Sequence, residues 1–183
     1  ANVLANAGRF LDRLSAAGAD FHVSVVSTDM SQPECRLPRA ARPAQLRPGA
    51  CGYFSEGDDI DSDPDWRVID PREGPSPASA FVHTANLGIR GSAREAGLAG
   101  AARALSPLLA SGHNTGFLRP DAALALVFVS DEDDQSDLSP LAYAARFRAL
   151  KGSGRPDRLS ASAVVTTGAA CAYEAGDRYR RVT

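Results

Sequence analysis

Apolar residues recur along this chain in two rhythms, one helical and one extended. Val3, Leu4, Ala7, Phe10, Leu11 and Leu14 fall on one face at helical spacing, which predicts an amphipathic helix over about Asn2 to Ala17. Gly18 and Asp20 stop it. Phe21 to Ser27, FHVSVVS, is short and rich in β-branched residues and reads as a strand. A helix is expected over Pro77 to Asn86, with Phe81 and Val82 inward. A second comes over about Ala93 to Leu109, opened by Ser92 and Glu95 in the S-x-x-E spacing of a capping box. Leu124 to Ser130 is a continuous apolar run, the pattern of a strand buried on both faces of a parallel sheet. Pro140 to Leu150 reads as a helix with Leu141, Ala144, Phe147 and Leu150 on its apolar face, and Leu159 to Thr166 as another strand. The final run, RYRRVT, looks like the start of one more strand. Helix, strand, helix, helix, strand, helix, strand is the rhythm of a layered α/β fold.

Between Thr28 and Pro77 the periodicity disappears. The stretch is dense in Pro, Gly and Asp, with a short edge strand expected at Trp66 to Ile69. A loop of this length inside a compact domain usually carries function or gains order from a covalent tie. Cys35 and Cys51 bracket its most irregular part, and a disulfide there would close a loop worth about 3 kcal/mol in the chain-entropy model. Cys171 is left over. No CxxC or CxxH spacing supports a structural metal site. Asp59, Asp61, Asp63, Asp65 and Asp70 have the spacing of a calcium loop, yet Pro64 stands where the sharp turn needs Gly. A solvated acidic loop accounts for them better.

The candidate chemistry lies at LALVFVSDEDDQSD, residues 124 to 137. An apolar strand runs directly into Asp131, Glu132, Asp133 and Asp134. Ligands of open α/β sheets gather beyond the carboxyl ends of such strands. Carboxylates crowded there repel one another unless a cation or water separates them. Two readings stand side by side: a divalent-cation site, or an acidic helix N-terminus with Asp and Glu favouring the first turn.

Composition narrows the classes without choosing among them. The chain has 183 residues, 44% hydrophobic and 23% charged, with a net charge of −2. That balance is ordinary for a globular protein and makes no bulk electrostatic case for nucleic acid. No run approaches the ~18 apolar residues of a membrane span. Of the basic residues only Lys151 is lysine, so arginine density reads as base composition rather than phosphate binding. His22, His83 and His113 are scattered, and no hydrolase, zinc-protease or phosphate-loop motif occurs. The absence of an initiating Met at Ala1, and the stop at RYRRVT, suggest a piece of a longer protein.

Four segments together resemble a von Willebrand factor type A domain of the bacterial secreted or lipoprotein-like kind. They are DFHVSVVSTDM at 20 to 30, LGIRGSAREAGLAGAARAL at 87 to 105, NTGFLRPDAALALVFVSDEDDQS at 114 to 136, and LSASAVVTTGAAC at 159 to 171. The resemblance implies one domain over residues 1–183, with an insertion at about 28–77. It also implies a three-layer, doubly wound, mostly parallel sheet and a metal-ion-dependent adhesion site at its carboxyl edge. Asp131 matches the family's Asp ligand and Ser92 its hydroxyl ligand, though capping alone also explains Ser92. The family's D-x-S-x-S motif and the first strand that carries it are absent. A hard cation needs about six oxygens, so Mg²⁺ or another divalent cation should bind this chain weakly, whatever the parent protein does. With that strand missing, Phe21–Ser27 and Leu124–Ser130 must pair directly or leave open edges, which predicts a marginal or aggregation-prone chain.

The resemblance leads to the expectation of a non-enzymatic, adhesion-type module of the cell exterior or bacterial envelope. Its partner would be a protein offering an acidic side chain to a cation held by Asp131 and Ser92, with Glu132, Asp133 and Asp134 tuning the field or capping the next helix. The alternatives are a metal-dependent hydrolase using Asp131–Asp134, and a structural envelope domain whose site has decayed. Two-metal hydrolysis requires carboxylates converging on ions ~4 Å apart, and successive acids in one segment point in different directions.

Overall fold

The structure, a computed structural model, describes residues 2–32, 35, 49–55, 66–72, 76–88, 91–152, 154–167 and 176–183. The Asp59–Asp65 run and Cys171 lie outside them. The elements are helix α1 (Asn2–Ala16), α2 (Pro77–Thr84), α3 (Gly97–Ala104), α4 (Pro107–Ala110), strand β1 (Leu124–Val129), α5 (Pro140–Ala149), β2 (Leu159–Val164) and α6 (Asp177–Arg180). Short 3₁₀ turns lie at Ala50–Gly52 and Pro156–Arg158. This is a mixed arrangement of helices with a small parallel sheet, loosely α/β, as the rhythm of the sequence predicts.

Local chemistry explains most boundaries. After α1, Gly18 takes a left-handed backbone (φ 66°), and Gly18 N–H and Ala19 N–H donate to the carbonyls of Ser15 and Leu14. That pair of bonds is the Schellman motif, which favours glycine because other residues pay a steric cost there. α1 packs on α2, with Leu11 fully buried. α5 starts with Pro140 behind Ser139, whose hydroxyl accepts from Ala142 N–H at 3.3 Å.

β1 and β2 pair in parallel over their whole lengths, from Leu124 opposite Leu159 to Val129 opposite Val164. α5 supplies the crossover that parallel strands require. The core joins Leu98, Phe128, Tyr143, Ala144, Phe147, Tyr179 and Val182, so α3, α5 and α6 converge on Phe128. Truncating Phe147 to Ala would remove about 3–5 kcal/mol of this packing.

Several expectations are corrected. β1 is not buried on both faces: Leu124 and Phe128 are inside, whereas Val127 is 62% and Val129 45% exposed. An uninterrupted apolar run conceals this alternation, because both faces look alike in sequence. The helix expected over Ala93 to Leu109 is two, divided at Leu105–Ser106 ahead of Pro107, whose ring and missing N–H interrupt a helix. The Ser92–Glu95 capping box does not form. The Ser92 hydroxyl accepts from Arg94 N–H at 3.0 Å, a local turn two residues before α3 begins. The run RYRRVT is the short helix α6 and a turn, not a strand.

Segment 21–28, expected as a strand, forms no ladder among the described residues. Val23 makes an isolated antiparallel bridge to Ile69, which is all that remains of the edge strand expected at Trp66–Ile69. Ser27 N–H donates to Gly49 and Ser55 N–H to Val25. The Cys35–Cys51 disulfide is present, with both residues buried beside Ala50, Tyr53 and Leu109. Gly49 and Cys51 both take left-handed backbone (φ 71° and 58°), and a Cβ on Gly49 would stand 2.7 Å from Ser27 N. Buried Asn114 locks this turn to α3: its Oδ1 accepts from Phe54 N–H, and its Nδ2 donates to the carbonyls of Gly52 and Ala104.

Candidate functional site

β1 ends at Val129 and delivers Ser130, Asp131 and Glu132 to its carboxyl edge. The Ser130 hydroxyl folds the chain there, donating to Glu132 O and accepting from Glu132 N–H. Segment 21–28 ends at the same edge. Ala96 N–H donates to Thr28 O, Asp29 bridges Glu95, and Gln135 N–H donates to Glu95 O at 2.6 Å. Three chain segments thus meet at one place, each bringing oxygen-bearing side chains.

Glu95 registers that crowding. Burial pushes its carboxyl above the ordinary range, and the charges of Glu132, Asp131 and Asp29 push the same way, against a hydrogen bond from Thr28. Asp29 is 2% exposed and its carboxylate accepts from Ser31 N–H and from Gln32 Nε2. Ser92 faces this edge, its hydroxyl donating to the Ser31 hydroxyl at 3.0 Å. The structure therefore brings the Ser92 and Asp131 loops to a common rim. Glu95 and Asp29 are the residues there that sequence reasoning did not single out. Asp29 follows an extended segment just as Asp131 follows β1, and that parallel was the available signal.

The remaining acids do other work. Asp134 is buried: Oδ1 accepts from Leu98 N–H at 3.0 Å and from the Ser136 hydroxyl at 2.7 Å, and Oδ2 meets Arg178 Nε at 3.1 Å. Ser136 Oγ accepts from Ala99 N–H. Together they cap α3 from 36 residues away in the chain for Asp134 and 37 for Ser136. The helix that Asp134 caps is therefore an earlier one, not the one that comes after it. Asp133 Oδ1 accepts from Asp134 N–H and from Arg178 N–H in the first turn of α6. Arg178 also donates to the carbonyls of Ser136 and Leu138. Carboxylates placed at helix N-terminal amides satisfy orphan donors and complement the helix dipole.

A hard cation seeks several convergent oxygens. Among the described residues, no group of three or more His, Cys, Asp or Glu side chains is arranged to hold a metal ion. The histidines lie elsewhere: His22 links Gly116 O to Asp70, His113 stacks edge-on with Tyr53, and His83 stacks edge-on with Trp66. Arg72, hydrogen-bonded to the Asp70 carboxylate, holds that group well below the usual carboxylate range despite its burial.

No family model, curated protein or solved structure matches this chain. No described helix is long and apolar enough to cross a membrane.

Proposed function

We propose that this chain is a non-enzymatic protein-binding module of the adhesion type, similar to a von Willebrand factor type A domain. In that reading its partner engages the rim formed by Ser92, Glu95, Asp131 and Glu132. The observation that carries the proposal is that Glu95, tied through its backbone to Asp29 and Gln135, lies near enough to Glu132, Asp131 and Asp29 that their charges and its own burial disfavour its ionised form. A divalent cation such as Mg²⁺ would relieve that repulsion, with Asp131 and Ser92 holding it and an acidic side chain of the partner completing the shell. The described residues supply too few oxygens for tight binding on their own. A doubly wound three-layer sheet and an extracellular or envelope location belong to the same reading, and the buried Cys35–Cys51 disulfide supports the latter.

Use of the Asp131–Asp134 run for metal-dependent hydrolysis is the weaker reading. Asp133 and Asp134 already accept backbone and guanidinium hydrogen bonds, leaving two of the four acids for chemistry. Paramagnetic Mn²⁺ tests the preferred reading, because it broadens nearby amide signals even when binding is weak. The amides of Ser92, Glu95 and Asp131 should broaden first, and Asp131→Ala should abolish the effect. Broadening that survives Asp131→Ala, or that centres elsewhere, overturns the assignment.

A further inference from the structure

The turn Asp29–Gln32 stands between the acidic rim and the Cys35–Cys51 disulfide. On the rim side Asp29 bridges Glu95, and the Ser31 hydroxyl accepts from Ser92 at 3.0 Å. On the other side each half of the disulfide bonds the backbone of the turn. Cys35 N–H donates to Gln32 O and Cys51 N–H to Asp29 O, both at 2.9 Å. The two cysteines thus grip the turn at its two ends. Between them the Asp29 carboxylate accepts from Ser31 N–H and Gln32 Nε2, the self-closure of a short polar turn.

The grip is fixed from beneath. Cys51 is fully buried and Cys35 nearly so, packed with Ala50, Tyr53 and Leu109. Cys51 holds a left-handed backbone (φ 58°), which a residue with a side chain keeps only where its surroundings impose it. The bond to Cys35 is the covalent part of those surroundings. This apolar cluster shares no residue with the one around Phe128. The Phe128 side has its own fastenings: Leu98 N–H on Asp134 Oδ1 and Ser130 N–H on Val164 O. Separately packed units of one protein open separately, each at its own free energy.

We propose that the Cys35–Cys51 disulfide is a redox control on the rim: oxidised, it fixes the Asp29–Gln32 turn against Glu95 and Ser92, and reduced, it releases that turn while the Phe128 core stays folded. The step is thiol–disulfide exchange with a dithiol. One thiolate attacks a cystine sulfur, and the second thiol resolves the mixed disulfide. The dithiol leaves as a cyclic disulfide, and its two electrons and two protons remain on Cys35 and Cys51 as two thiols. Because both sulfurs are buried, the reductant reaches them through opening of the 49–51 turn, which makes the exchange slow. Breaking a bond between residues sixteen apart restores the freedom that loop closure had removed. Gln32 and Asp29 then lose their fixed donors, and Ser31 its place beside Ser92. Control of partner binding rests on the function proposed above, whereas control of the turn itself stands without any cation.

The test follows amide hydrogen exchange without metal, before and after dithiothreitol, with thiols counted by mass after alkylation. Ser31 and Ala96, whose amides bond Asp29 Oδ1 and Thr28 O, should exchange about tenfold faster or more once two thiols have appeared. Reoxidation should restore them, and Leu98 and Ser130 should stay protected throughout. Cys35→Ser/Cys51→Ser should show the reduced pattern with no reductant present. Three outcomes overturn the proposal: a disulfide that does not open in the folded protein, Ser31 and Ala96 unchanged after it opens, or all four amides accelerating together. The last would make the bond a support of the whole fold rather than of the rim. Because no metal is present, these outcomes are independent of the Mn²⁺ result. Where Mn²⁺ does broaden Ser92 and Glu95 in the oxidised protein, reduction should weaken that broadening, and equal broadening in both states would overturn control of the site.

Discussion

The four acids after β1 divide into an outer and an inner pair with opposite fates. Asp131 and Glu132 stand at the rim beside Glu95, exposed and half-buried, whereas Asp133 and Asp134 turn inward to α6 and α3. All four come after one strand in consecutive positions, so residue type does not separate them. What separates them is which N–H groups lie within reach. Asp134 finds Leu98 N–H, Ser136 and Arg178, and Asp133 finds the first turn of α6, while the outer pair finds other carboxylates. A run of like charge is thus half scaffold and half candidate site.

Substitutions should reproduce that division. Asp134→Ala removes the Arg178 Nε partner and leaves the buried Leu98 and Ser136 amides without theirs, and should lower unfolding free energy by about 2–4 kcal/mol in urea denaturation. A loss below about 1 kcal/mol would erase the distinction between the pairs. Asp133→Ala removes a cap on α6 and should cost about 1 kcal/mol by the same measurement. Glu95→Gln should act the other way at pH 7, stabilising by about 0.5 kcal/mol. The sign comes from the raised Glu95 carboxyl. The folded protein holds that proton more firmly than the unfolded chain, so ionisation costs stability as pH climbs from about 4.3 through the folded value. Below that range the wild type carries no such penalty, and the Glu95→Gln advantage should vanish near pH 4. An advantage that persists at pH 4 would mean that packing, not charge, sets the effect. Asp131→Ala should leave urea stability within about 0.5 kcal/mol, and its effect should be confined to Mn²⁺ broadening.

β1 offers a second form of the same lesson. Its β2 edge is satisfied and its Phe128 face is covered, while among the described residues the opposite edge has no backbone partner and Val127 and Val129 are exposed. The sequence announces a strand there without ambiguity, since six apolar residues in a row have few alternatives. It does not announce how many neighbours the strand has, because a paired and an unpaired edge use the same backbone. Among the described residues β1 and segment 21–28 do not pair with each other, and both line a cavity of about 150 Å³.

Legibility varied by element for definite reasons. α5 could be read from Pro140 and from Ala144 and Phe147, which are buried, although Leu141, expected on the same face, is 72% exposed and Tyr143 is buried in its stead. The break before Pro107 is also written in the chain, because proline lacks the N–H a continuing helix needs. The capping box at Ser92 failed because that serine bonds Arg94 and Ser31, and the helix start was capped by residues far away. Asn114 gave no sign of its role, since its three partners belong to Phe54, Gly52 and Ala104.

By itself the sequence determined α1, α2, α5 and the two strands β1 and β2, the glycine that closes α1, and the cysteine pair that ties the irregular loop. These depend on interactions within a turn or two, or on a covalent bond between residues sixteen apart. The tertiary structure alone decided which acids become caps and which remain at the rim. It also decided that, among the described residues, β1 pairs with β2 alone. Both outcomes hang on hydrogen-bond partners brought from distant parts of the chain, and a backbone amide carries no residue-specific mark by which such a partner could be foreseen.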